Sequence, residues 1–257
     1  LWPYHDFQYW IAQGDHGRDL YCFKKTLDGA LPYRDYSWLF GPLMPYYYSF
    51  FYKLFGINIP SILLGQNILI LLTGVLVFLT ADLFIPAALA YTAALWYWAF
   101  RGLDFFYTYN HSGGEAALLA SLYALFLYIQ NPRRAYVLAG LVSLFALMLI
   151  RFNIGVAALA AFIPGIFLAD ALYKNPDAGR NRLIYSGWVL ATLLAVFLIY
   201  GALFYSLPHY ILYQSFPFKK SLRTDAAPSI AAALKWLWQY FRQTAVGTIP
   251  RLFFSGI

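Results

Sequence analysis

Charged residues are scarce in this chain. Only 11% of its 257 residues are Asp, Glu, Lys or Arg, whereas 61% are hydrophobic. A soluble domain ordinarily carries about 25% charged residues. Residues 61–79 and 184–207 contain no charge at all, and an apolar helix of roughly 20 residues is long enough to cross a bilayer. The sequence therefore predicts an all-α, polytopic integral membrane protein and excludes an ordinary soluble enzyme.

Cysteine is scarcer still, because Cys22 is the only one. An internal disulfide and a multi-cysteine metal cluster are thereby excluded. The net charge is +7, but the basic residues are spread between the apolar segments rather than gathered on one soluble face. We expect them to orient helices or to contact anionic lipid heads. A nucleic-acid partner is not expected.

The distribution of polar residues divides the chain into three predicted regions. Residues 1–57 are expected to form an external polar loop with short interfacial helices, 58–207 a transmembrane helix bundle, and 208–257 a second external region with an amphipathic helix. Because the chain opens directly in a polar segment, we expect a fragment that lacks an N-terminal membrane helix. About six spans are predicted, at residues 60–80, 85–100, 114–129, 135–150, 154–171 and 183–207.

Two short helices are predicted in the first region, over residues 16–27 and 46–55. Gly29 and Gly56 are the expected stop signals, because glycine readily adopts the backbone conformation that ends a helix.

Basic residues in the short links indicate which way the bundle faces. Links 131–134 and 173–182 fall on one side of six alternating spans, and the excess of Lys and Arg there predicts that this side is cytoplasmic. Regions 1–57, 101–113 and 208–257 then share the external side. We expect a bacterial inner (plasma) membrane protein whose active site faces outward.

Carboxylates are concentrated near the start of the chain, where five of the eleven precede residue 36. Four short motifs surround them in order: GDHGRDLY at 14–21, LDGALPYRD at 27–35, FGPL at 40–43 and KLFG at 53–56. This series resembles the first external loop of GT-C glycosyltransferases, in the style of the protein O-mannosyltransferases and the lipid A aminoarabinose transferases. The resemblance covers roughly residues 10–155. It implies a polytopic enzyme that uses a polyprenyl-phosphate sugar donor on the external face.

Asp15 stands where that family has its catalytic Asp, so the resemblance implies that it deprotonates the acceptor hydroxyl. His16 replaces the family's usual Glu and, like Asp35, is a candidate for acceptor or sugar binding. Two structural alternatives stay open. Asp15 could cap a helix that begins just after it, and Asp35 could lie in a turn or pair with Arg34.

A second polar cluster, at the external mouth of a predicted span, ends at Glu115. Glu115 is predicted to open an apolar helix, where it could bind the acceptor or assist the base, as an acid in the external loop of the relatives does. Asp104 is its rival for that role, and His111 is a further candidate for acceptor or sugar binding. Alternatively, Ser112 and Glu115 simply cap the helix.

The departing phosphate of such a donor requires cations. Candidates for lipid-phosphate binding are Arg101, Lys219, Lys220 and Arg223, although lysines at a lipid surface also serve as ordinary interfacial residues. Arg151 interrupts two apolar segments. The relatives often carry a basic residue near this position, but Arg151 could instead simply lie in a tight loop.

No cofactor is predicted. Asp15, His111 and Glu115 have ligand types that suit Mn²⁺ or Mg²⁺, but no spacing signature supports a metal site.

Two functions follow as hypotheses. In the first, the chain is a GT-C-like glycosyltransferase that moves a monosaccharide from a polyprenyl phosphate to an external acceptor. In the second, it is a non-catalytic subunit that keeps the fold and packs with other membrane subunits in a larger complex. The His16 replacement favours the second.

Overall fold

The chain forms an all-helical structure. The computed structural model describes residues 14–103, 109–172 and 178–204, apart from the side chains of 14–15, 101–103, 178–180 and 204. Within these residues there are eight helices and no strand. The helices are α1 (Gly14–Leu27), α2 (Leu43–Phe55), α3 (Ile59–Asp82), α4 (Ala87–Leu103), α5 (Tyr109–Gln130), α6 (Arg134–Ile150), α7 (Phe152–Leu172) and α8 (Ala178–Phe204).

Four of these helices are long and apolar enough to cross a membrane: α3, α5, α7 and the 23-residue part of α8 from Asn181 to Leu203. The other two predicted spans correspond to α4 and α6, which have 17 residues each. At a rise of about 1.5 Å per residue, such a helix falls just short of the hydrocarbon thickness of a typical bilayer. The all-helical class is confirmed, and the count of six spans stays a prediction.

Two predicted helix ends were wrong because the helix continues through polar or small residues. α3 runs through residues 81–82, which were predicted as a link, and α5 begins at Tyr109 rather than at residue 114. Gly113 lies inside α5 because the neighbouring α2 comes close. A Cβ atom at Gly113 would lie 2.6 Å from the sulfur of Met44. Glycine here permits helix packing rather than ending the helix.

The bundle packs around α6, which contacts α5, α7 and α8. Val137, Leu144 and Leu147 on this helix are fully buried. They belong to a core cluster that takes Leu125 from α5 and Phe162 from α7. His111 near the start of α5 contacts Arg151, which lies between α6 and α7. The start of α5, the end of α6 and the start of α7 therefore lie together at one end of the bundle.

Residues 14–57, which we call the lobe, contain the two predicted short helices. α1 ends at Leu27 and α2 at Phe55, and the glycines that follow them have positive φ angles of 90° at Gly29 and 87° at Gly56. Both helices and both stop signals are confirmed. Residues 208–257, including the predicted amphipathic helix, lie outside the described residues.

Candidate functional site

The lobe packs on the end of the bundle where α5 starts and α6 ends, which we call the lobe end. The Gly41 N–H donates to the Ile150 carbonyl at 2.9 Å. A Cβ atom at Gly41 would lie only 2.1 Å from the Leu149 carbonyl oxygen, so no larger residue fits here without moving backbone. This close approach explains the glycine of the FGPL motif.

An aromatic cluster completes the contact between the lobe and α5. The Tyr109 ring lies 5.6 Å from that of Phe23 and 5.3 Å from that of Tyr48, edge to face in both cases. Phe23 and Tyr48 are themselves stacked at 4.7 Å and fully buried. Edge-to-face and offset-stacked pairs add to the stabilisation that burial provides. The lobe is thus fixed to the same end of the bundle as the second polar cluster.

His16 belongs to this aromatic contact. It is 4% exposed, and its ring meets Tyr109 edge to face at 5.7 Å. One turn further along α1, Asp19 is also buried, and its Oδ1 accepts from the Arg18 side chain at 2.8 and 3.0 Å. The structure therefore places His16 inside the lobe–α5 interface, and sugar binding by His16 stays a prediction.

Asp15 lies within the first described turn of α1, since that helix begins at Gly14. It therefore does not stand just before the helix, as the capping alternative required. A carboxylate in the first turn is nevertheless favoured by the helix dipole. The Asp15 side chain lies outside the described residues.

Glu115 does not open its helix, contrary to the prediction. α5 begins at Tyr109, so Glu115 lies in the second turn, and Ser112 is not a cap either. The Glu115 carboxylate accepts from the Tyr97 hydroxyl of α4 at 3.1 Å. Sequence reasoning missed Tyr97, because nothing local distinguishes it from the other tyrosines of the chain.

Two further polar atoms near the start of α5 are buried. These are Asn110 Oδ1 and Ser112 Oγ, and neither has a hydrogen-bond partner in the described part of the chain. Buried polar groups are nearly always satisfied, by protein or by ordered water. Ordered water or a polar ligand at the lobe end could therefore form hydrogen bonds with these two atoms.

His111 contacts a cation that was not among the predicted site residues. Its Nδ1 lies 2.8 Å from Arg151 Nη1, and the Arg151 guanidinium lies over the Phe40 ring at 5.7 Å. Arg151 is the single residue between α6 and α7. The sequence showed that it interrupts two apolar segments, but not that it reaches 40 residues back to His111.

Asp35 lies on the exposed surface of the lobe. It pairs with Arg34 at 2.7 Å and accepts from the Leu31 N–H at 2.8 Å. These contacts, the hydrogen bond from Arg34 above all, lower the pKa of Asp35 to about 2. The structure has the turn and the ion pair of the structural alternative, and a sugar contact stays a prediction.

Cys22 has no features of a nucleophile. It is 2% exposed, and burial raises the pKa of its thiol to about 12, so the reactive thiolate is negligible at neutral pH. Among the described side chains, no three His, Cys, Asp or Glu residues are grouped so that they could hold a metal ion.

The remaining predicted site residues have side chains outside the described part of the chain. The backbone of Arg101 belongs to α4, but its side chain is outside the described residues, as are Asp104, Lys219, Lys220 and Arg223.

An apolar cavity of about 310 Å³ also opens at the lobe end. It lies between the start of α2, at Pro42 and Leu43, and the last turns of α8, at Ile199 and Leu203, with Leu149 of α6 between them. Tyr200, beside it on α8, donates its hydroxyl to the Met148 carbonyl at 2.9 Å. The lining of the cavity is almost entirely apolar.

Comparison of the chain with known protein families, with curated proteins and with solved structures gives no match.

Proposed function

We propose that this chain is an integral membrane glycosyltransferase of the GT-C-like kind. It transfers a monosaccharide, with inversion, from a polyprenyl-phosphate donor to an external acceptor. One observation carries the proposal. The two segments that bear the resemblance, residues 14–56 and 109–115, are distant in sequence but pack on each other through Tyr109. A catalytic centre assembled from both segments requires this contact.

The roles follow from the chemistry of the transfer. Asp15 is the base that takes the acceptor proton, and Glu115 or Asp104 places the acceptor, with His16, Asp35 and His111 as further candidates for sugar binding. A base alone does not suffice, because the departing phosphate must be stabilised by cations. Arg101, Lys219, Lys220 and Arg223 stay the proposed cations. The apolar cavity beside α2 supports a donor with a hydrocarbon chain.

The proposed setting is the bacterial inner membrane, with six spans and with the lobe end facing outward. Arg133 and Arg134 at the start of α6 support this orientation, because they lie at the opposite end of that helix from Ile150 and the lobe.

The test is an activity assay on the purified protein in liposomes, with a panel of polyprenyl-phosphate monosaccharides. Asp15→Asn should lower the transfer rate by about 10²–10⁴-fold, the usual contribution of a positioned base. Its stability should change little, because the amide keeps the size of the carboxylate. The matched control is Asp28→Asn, since Asp28 is an exposed carboxylate after α1 that pairs with Lys24. Full activity of Asp15→Asn would refute the assignment of the base.

The alternative function is a non-catalytic membrane subunit, and the position of His16 favours it. The residue that replaces the family's second acid is buried against Tyr109 rather than open to a substrate. This alternative predicts no transfer from any donor and co-purification of the native chain with partner membrane subunits. Transfer by the wild type would exclude it.

A further inference from the structure

We propose that Arg151 and His111 form a binding site for a phosphate group. Nothing in the sequence resemblance assigned Arg151 a ligand, and the site needs no catalytic activity. The two residues come from different parts of the bundle, namely the junction of α6 with α7 and the first turn of α5. They meet at 2.8 Å.

The first argument is the charge of Arg151. The ion pairs of the described residues join Arg18 to Asp19, Lys24 to Asp28 and Arg34 to Asp35, and none of them includes Arg151. Arg151 is half-buried, and a partly desolvated guanidinium gains from an anionic partner. A guanidinium presents five N–H donors in a fork that matches phosphate oxygens.

The second argument is the position of Arg151 in the fold. It directly precedes α7, a helix of 21 residues. Arg151 is also the C-cap residue of α6, where the partial negative charge of the helix end favours a cation. The start of α7 carries partial positive charge and favours an anion. An anion bound here would contact both the Arg151 guanidinium and the start of α7.

The third argument is the side chains around the guanidinium. Phe40 supports it from one side at 5.7 Å. His111 is exposed, and its Nδ1 can accept from Arg151 only while that nitrogen is unprotonated. The aliphatic part of Arg151 packs beside Gly114, where a Cβ atom would lie 3.6 Å from Arg151 Cδ. A phosphate group could take the place of the imidazole as the acceptor and leave His111 to donate to it.

The ligand could be the head of a phosphorylated lipid or a soluble phosphate, because the two share this chemistry. If the site binds the phosphate of the sugar donor, this inference depends on the proposed transferase function. As a site for any phosphate, it would stand without that function.

The test is direct binding by the purified wild-type protein in detergent, with inorganic phosphate and farnesyl phosphate as probes. Arg151→Gln should weaken binding by roughly 10- to 100-fold, the usual worth of charge-assisted hydrogen bonds. Arg151→Lys, which keeps the charge without the fork, should lose less. The matched control is Arg133→Gln, which removes one exposed arginine from the other end of α6 and should leave binding unchanged.

The probes separate the two sources. Binding of farnesyl phosphate that inorganic phosphate does not displace supports a lipid head, and equal binding of both supports a soluble phosphate. Unchanged binding in Arg151→Gln, equal loss in Arg133→Gln, or no binding of either probe by the wild type would overturn the site. Protection of the buried Cys22 from labelling checks that the variants are folded, and if Arg151→Gln fails that check, Arg151→Lys and His111→Gln decide.

The same data separate this inference from the proposed function. Farnesyl phosphate binding that depends on Arg151, without transfer of any sugar, would leave the site and remove the transferase. Sugar transfer by the wild type, together with unchanged phosphate binding in Arg151→Gln, would leave the transferase and remove the site at Arg151.

Discussion

The two ends of the bundle use similar groups in different ways. At the lobe end, the cation of Arg151 is half-buried and its partner His111 is exposed. At the opposite end, where α5 and α7 finish, the Asp170 carboxylate is 1% exposed and accepts from the fully buried Tyr128 hydroxyl at 2.6 Å. Tyr185 of α8 lies 3.5 Å from that hydroxyl. The opposite end therefore joins three helices through the Tyr128 hydroxyl, which contacts a buried carboxylate on one of them.

The difference lies in access to water. A buried, hydrogen-bonded carboxylate stabilises the packing around it and cannot exchange partners with a solute, because every opened contact would leave a polar group unsatisfied. A half-exposed Arg–His pair can exchange partners at little cost. The charged residue at the opposite end is thus structural, and the one at the lobe end is suited to binding.

A second contact supports the structural role of the opposite end. Arg134 at the start of α6 donates to the Asn181 side chain of α8 at 3.0 Å. Here an arginine is held by an amide of the protein itself, whereas Arg151 at the other end of the same helix is held by an exposed histidine.

The largest effect is expected from a substitution that separates the lobe from the lobe end of the bundle. In Gly41→Ala the new methyl group meets the Leu149 backbone, which cannot rotate away, and overpacking of this kind typically costs about 1–3 kcal/mol. We expect the lobe to open and the labelling of Cys22 by a maleimide to accelerate by roughly 10- to 100-fold. Cys22 is a specific reporter because it is the only cysteine and is 2% exposed.

The control for Gly41→Ala is Gly187→Ala in α8, where a Cβ atom would meet nothing within 4 Å. It should leave Cys22 labelling unchanged and slightly increase stability, because alanine favours a helix more than glycine does. If Gly41→Ala labelled as slowly as the wild type, the lobe would not depend on the close approach at Gly41.

A second substitution removes a hydrogen bond at the opposite end of the bundle and leaves the lobe end intact. Tyr128→Phe removes the donor to a buried carboxylate, and we expect a loss of about 1–3 kcal/mol in the free energy of unfolding. Thermal unfolding in detergent measures this loss. Cys22 labelling below the transition and phosphate binding should stay unchanged, since distant sites with no shared partners behave independently.

Tyr91→Phe is the matched control for Tyr128→Phe, because Tyr91 is 54% exposed on the surface of α4. Equal stability of both variants would show that the Tyr128–Asp170 hydrogen bond contributes nothing. A loss of phosphate binding in Tyr128→Phe would show that the two ends are coupled.

The smallest expected effect concerns the exposed surface of the lobe and depends on pH. The folded-state pKa of Asp35 is lowered from 3.8 to about 2, so its contribution to stability is fully present above pH 3.8 and is lost as the pH falls through about 2. Stability of the wild type and of Asp35→Asn, compared from pH 5 to pH 2, should differ slightly at pH 5 and converge at low pH. A constant difference across the range would mean that the Asp35 ion pair has no stabilising effect.

Much of the local structure could be predicted from the sequence. Hydropathy alone gave the helical membrane class, and four of the predicted spans correspond to helices that are long and apolar enough to cross a membrane. Gly29 and Gly56 predicted the ends of α1 and α2. These predictions succeed because apolar length and glycine backbone preference are properties of a short stretch of chain.

The start of the span predicted at residue 114 was wrong where packing decided the outcome. Gly113 and Gly114 lie inside α5, next to Met44 and Arg151. A glycine that ends a helix and a glycine that admits a neighbour are the same in the sequence, and only the second chain segment distinguishes them. The misplaced role of Glu115 as a helix opener followed from this error.

That the chain is apolar, helical and rich in acids near its start could be read from its amino-acid sequence, because these properties depend on composition and on neighbouring residues. Which polar groups meet depends on how the helices pack. His111 reaches Arg151 across 40 residues, and Tyr128 reaches Asp170 across 42. Such pairs depend on the rotation and packing of whole helices, which the long apolar segments leave undetermined because nearly every face of them is hydrophobic. The same packing decides that one charged residue is closed off as a structural contact while another stays open to a ligand.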